Sequence, residues 1–178
     1  MNATQIHLAL THVPVMLSII GLVILILSFF RKNDTLAKTA LSILLAAGLL
    51  TIPVFFTGEG AEEVVEKLPG VSEAIIEKHE DFAKITLALV SVSGLLALIG
   101  LVAYAFGRFV TMVKVLALIL SVVSAGAMAQ TAHLGGQIRH SEIRSAALIQ
   151  EAGNAGAESN KATQEAAGKA GTETEEDD

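Results

Sequence analysis

Polar and apolar positions sort the chain into four long apolar stretches, roughly residues 13–30, 39–57, 82–106 and 109–132. A helix needs about 20 mostly apolar residues to cross a hydrocarbon core of about 30 Å, and each stretch is near that length. The pattern therefore predicts an all-α integral membrane protein. The breaks at 31–38 and 107–108 are short, so consecutive helices should pair as antiparallel hairpins and assemble into an antiparallel four-helix bundle. The first stretch is not expected to be a secretory signal. It lacks a basic leading segment, runs too long, and has no small-residue cleavage site before Arg31.

The longer break between the second and third stretches has its own pattern. Residues 60–68 read as a short helix, Pro69-Gly70 as a turn, and Ser72 as an N-cap for a segment running from Glu73 into the third helix. This predicts a short helical hairpin outside the membrane. Pro53 should kink the second helix, because it removes the bond to the Leu49 carbonyl. Pro14 suits a first helical turn, which would put His12 at the cap. Gly94 and Gly100, and Ala125-Gly126-Ala127, are expected to be close-packing surfaces.

Residues 151–178 contain no Val, Ile, Leu or aromatic side chain and end in Glu175-Glu176-Asp177-Asp178. Such a segment buries too little apolar surface to offset its chain entropy, so a disordered acidic tail is expected after a transmembrane domain over 1–150.

Composition sharpens the class. Hydrophobic residues make up 52% of the chain and charged residues 17%, against about 25% charged in soluble domains; the mean hydropathy is +0.61. The net charge of −6 belongs to the tail, because residues 1–150 carry ten basic and ten acidic side chains. No basic patch suggests a nucleic-acid partner. The absence of cysteine excludes disulfides, thiolate metal sites, iron–sulfur clusters and c-type haem attachment. Arg31, Lys32, Lys38, Arg108 and Lys114 flank the two short breaks, whereas the 58–81 loop holds Lys67 and Lys78 against eight acids. The positive-inside rule then places the short breaks in the cytoplasm, and both termini outside an inner (plasma) membrane.

The five histidines carry the candidate chemistry. His7 and His12 open the first helix, His79 opens the third, and His133 and His140 close the fourth. All belong to one end of the bundle. Ionisable groups at membrane depth carry a functional expectation. His133 and His140 are seven apart, nearly on one helix face and about 10.5 Å apart along the axis. Gly135-Gly136 lies between them and would let a flat ligand approach the backbone. A two-layer arrangement follows, with His12 and His133 deeper, His7 and His140 nearer water, and His79 available to either. Glu59, beside Gly58 and Gly60, is a further candidate ligand.

Three functions fit these residues. The first is a haem b protein with two axial imidazoles from different helices, centred on His133 with His12 or His79 opposite. The second is a copper or zinc site from the same histidines with Glu59 or Glu80. The third is a structural or assembly subunit whose histidines only hydrogen-bond. The glutamate-x-x-histidine pairs of di-iron bundles are missing, and no nucleophile–base–acid arrangement marks an enzyme.

His7-x4-His12-x-Pro14, Thr57-Gly58-Glu59, His79 and His133-x-Gly135-Gly136-x-Ile138 together resemble the membrane family called domain of unknown function 2231. The resemblance covers about residues 5–145. Many members continue after the double glycine with a Leu-Val-Tyr run and a later His-Gly. This chain has Ile138-Arg139-His140 there, so the resemblance carries no role to His140. Some members are fused to c-type cytochrome domains, which implies redox work at the outer face and a c-type cytochrome or similar redox partner, beside the lipid bilayer itself.

Overall fold

The computed structural model describes residues 3–140. Four α-helices account for nearly all of them, and none of the described residues forms a strand: α1 (Ala3–Arg31), α2 (Asp34–Val65), α3 (Glu73–Phe106) and α4 (Val110–Arg139). Each is long and apolar enough to cross a membrane. The expected tail, 151–178, lies outside the described residues.

The short turns are set by local chemistry. Asn33 caps α2, its Oδ1 accepting the Leu36 N–H at 3.0 Å. Gly107 ends α3 in the left-handed conformation at φ 64°, which glycine adopts without a Cβ clash.

Consecutive helices pack on one another, and α1 closes the ring against α4 through the thinnest of the four seams. A Cβ built on Gly21 of α1 would meet Leu44 of α2, one on Gly48 of α2 would meet the Gly94 backbone of α3, and one on Gly100 of α3 would meet Leu41 and Val113. These contacts run in opposite chain directions from helix to helix, which makes the bundle antiparallel. The Gly48–Gly94 crossing is the closest: the added Cβ would sit 2.9 Å from the Gly94 Cα. Small residues at such crossings replace the hydrophobic driving force that lipid cannot supply. Leu25, Ala40, Leu41, Leu44, Ala97 and Ala117 form the buried core toward the end bearing the two short turns. Side chains such as Ile19, Leu95, Ile99, Val122 and Val123 are exposed around the ring, as bilayer-facing positions should be.

Three boundaries differ from the sequence expectation. First, α1 starts about ten residues earlier than the apolar stretch. Pro14 therefore lies well inside it, and His12 is helical rather than a cap. Within this added segment the Thr11 hydroxyl donates to Leu8 O and His7 reaches α2, while the buried Thr4 hydroxyl has no partner among the described residues. Second, α2 does not break after residue 57. It runs through Pro53, Gly58 and Gly60 to Val65, so the separate helix expected at 60–68 is mostly the continuation of α2. The α2–α3 hairpin is built from the extended ends of these two helices, joined by a short turn with Gly70 at φ 78°. Third, Ser72 does stand at the N-cap of α3, but its side chain makes no capping bond.

Candidate functional site

Burial along each helix follows a stripe of spacing three and four. On α1 it runs through His7, Thr11, Pro14, Ser18, Gly21, Leu25 and Ser28; on α3 through Ile76, His79, Thr86, Val90, Ser93, Ala97 and Gly100; on α4 through Val113, Ala117, Ser121, Ser124, Met128 and Thr131. His7 and His79 are on these stripes. His12 and His133 are not, and both are exposed.

His7 leans from α1 onto α2. Its Nδ1 is 3.0 Å from Thr57 Oγ1 and 3.2 Å from Val54 O. The Thr57 hydroxyl proton is already given to Val54 O at 2.7 Å. The Thr57 oxygen therefore accepts, and His7 Nδ1–H donates. His79 makes the equivalent contact between α3 and α4, with Nδ1 3.0 Å from Thr131 O. A carbonyl only accepts, so His79 Nδ1 also carries its proton. In the neutral imidazole the other nitrogen then bears the lone pair, which leaves Nε2 of both rings as the free base.

Each ring rests on a glycine of the helix it touches. A Cβ at Gly58 would lie 3.4 Å from His7 Cε1, and one at Gly135 would lie 3.1 Å from His79 Cε1. The seat under His79 is braced by a hydroxyl chain. The Thr131 hydroxyl donates to Ala127 O at 3.0 Å, so at the 2.8 Å contact with Thr86 it is Thr86 that donates.

The remaining candidates are placed differently. His12 Nδ1–H donates to Leu8 O of its own helix at 2.8 Å. The Gln137 amide donates to His133 Nε2 at 2.9 Å, which occupies the lone pair that a metal would need. His12 and His133 thus lie off the buried stripes of their helices. His140 is an exposed residue beyond the end of α4. Of the double glycine, Gly135 seats His79, while Gly136 has open space where a Cβ would be. Glu59 is exposed. Among the described residues, no three of His, Cys, Asp and Glu gather closely enough to hold a metal ion.

Thr57 and Thr131 are the residues that sequence inspection missed as partners. Helical phase was the available signal. His7 falls in step with Pro14, Ser18 and Gly21, and His79 with Thr86 and Val90, whereas His12 and His133 fall out of step.

Compared with known protein families, curated proteins and solved structures, the chain finds no match. Fold and composition define the class: a polytopic membrane protein built as a four-helix bundle, with two inward histidines at one end.

Proposed function

We propose that the protein is a b-type cytochrome-like membrane subunit in which His7 and His79 are the axial ligands of a haem, serving electron transfer at the outer face. The observation that carries this reading is that both rings are anchored through Nδ1 to a second helix. Both imidazoles give Nδ1–H to oxygens of a neighbouring helix and keep Nε2 for a metal. Ligating histidines are characteristically anchored in this way, which fixes the ring plane and raises the basicity of the coordinating nitrogen.

The residues fit the group in other respects. The ligands come from α1 and α3, helices that are not neighbours in the ring, so a flat ligand between them would lie in the bundle interior. Haem needs no cysteine, and none is present. When bound, haem supplies one-electron redox chemistry. The chain's own part is to hold two neutral imidazoles, set their planes through Thr57 and Thr131, and exclude water with the apolar helix faces. The bis-imidazole reading also matches what the family resemblance implies about redox work. The orientation that puts this end outside rests on the Lys/Arg asymmetry.

The test is the absorption spectrum of protein purified in mild detergent from cells given ample haem. A sharp Soret band, with α and β bands on reduction, is expected for a low-spin bis-imidazole centre. Well-folded protein that carries no haem and takes up no added hemin would end this reading and leave a metal-ion or purely structural role for the pair.

A further inference from the structure

At the opposite end, a groove of about 450 Å³ opens beside the α3–α4 turn, with Ile99, Val102, Phe106, Arg108, Phe109 and Met112 among its lining residues. Arg108 is the one charged residue that lines it. The groove lies where two apolar helices end, so it runs from the hydrocarbon to the interface. Ile99 and Phe106 are seven residues apart, about 10.5 Å along α3, which is room for the upper part of an acyl chain.

Charge selects the occupant. Among the described residues, this end of the bundle carries Arg31, Lys32, Lys38, Arg108 and Lys114, with Asp34 as the only acid. The Asp34 carboxylate is engaged with Tyr104, accepting its hydroxyl at 3.1 Å. Lys38 lies over the Tyr104 ring at 5.2 Å, and Lys114 over the Phe29 ring at 4.4 Å. The ion pairs among the described residues are both made by Lys84, at the other end. Among the described residues, Arg108 therefore has no carboxylate partner. Its guanidinium lies 5.6 Å from the centre of the Phe109 ring, which engages a face and leaves the N–H edges for another partner. A guanidinium edge matches a phosphate in a two-pronged contact. Phe109, like Lys32 in the other short turn, takes a left-handed backbone, at φ 58°.

We propose that this groove is a binding site for an anionic glycerophospholipid, with Arg108 on the phosphate and one acyl chain along Ile99, Val102 and Met112. Basic pockets beside transmembrane helices bind acidic headgroups in this manner. The site is independent of the histidine end and of any cofactor there.

The test is native mass spectrometry of the full-length protein in detergent, titrated with phosphatidylglycerol or with phosphatidylcholine of the same chains. One phosphatidylglycerol should be retained in preference to phosphatidylcholine. Arg108→Gln should weaken its retention about fivefold, the contribution of one basic residue near an anionic headgroup. Met112→Trp, which fills the groove, should weaken retention of both lipids. Lys84→Gln, the same charge change at the other end, should leave retention unchanged. Equal retention of the two lipids by the wild type would overturn the proposal. So would an Arg108→Gln protein that binds phosphatidylglycerol as well as the wild type does, or inorganic phosphate that competes as effectively as the lipid. If Arg108→Gln fails to fold, the lipid preference of the wild type and the response of Met112→Trp still decide.

Discussion

The acceptor of the Nδ1 proton separates His7 and His79 from His12, and an unoccupied Nε2 separates them from His133. Held on Nδ1 by an oxygen of a second helix, that proton orients the ring and leaves Nε2 basic. In His12 the same proton serves its own helix, and in His133 the coordinating nitrogen is already occupied. The seat beneath His79 can be tested without touching the histidine. Gly135→Ala puts a Cβ 3.1 Å from the ring, so ring or helix must shift, and overpacking of this kind costs about 1 kcal/mol or more. Gly136→Ala meets open space and should gain up to about 1 kcal/mol of helix propensity. Thermal melts in detergent should show the two neighbours moving in opposite directions; the same response from both would mean that Gly135 does not seat the ring. The sequence made both glycines and all five histidines legible as candidates. It did not make legible which glycine faces His79, because that depends on the rotation of α4 against α3 and not on spacing within α4.

The helices themselves were readable from hydrophobic pattern alone, and the four apolar stretches lie inside the four observed helices with little displacement. What the pattern hid were their ends at the histidine face. Residues 4–12, where Thr4, Gln5, His7, Thr11 and His12 interrupt the apolar positions, and the Gly58-Glu59-Gly60 segment carry a weaker apolar signal, yet they remain helical because α1 and α2 continue to pack there through His7, Val54 and Thr57. Tertiary contacts override local propensity in this region. The Gly94 expectation of close packing is met at the α2–α3 crossing, where its partner is Gly48. A bulky side chain there cannot be accommodated by rotamer change, since the obstacle is backbone. Gly94→Ile should therefore destabilise the bundle by roughly 1–3 kcal/mol or more, read as an earlier transition in a sodium dodecyl sulfate unfolding titration. Gly126→Ala, where nothing lies within 4 Å of the added methyl, should leave the transition in place. An unchanged transition in Gly94→Ile would mean that the two helices do not cross at these glycines.

For the whole molecule, charge and chemistry are divided between the two ends. The two short turns carry five basic side chains against Asp34, while the α2–α3 end carries eight acids against Lys67, Lys78, Lys84 and Arg139, together with the inward histidines. If the basic end is cytoplasmic, a cysteine placed at Asn33 or Gly107 should resist a membrane-impermeant thiol reagent on intact cells, and one at Leu68 should react. Labelling at 33 with protection at 68 would invert the topology and move the histidine pair to the cytoplasmic side. The central claim, that His7 and His79 are the axial pair, is tested most directly by reduced-minus-oxidised spectra of single alanine variants at His7, His12, His79 and His133, all expressed with ample haem. Loss or conversion of the low-spin spectrum is expected for His7→Ala and His79→Ala, with near-normal spectra for His12→Ala and His133→Ala. A spectrum abolished by His133→Ala, and unaltered by His79→Ala, would contradict the account.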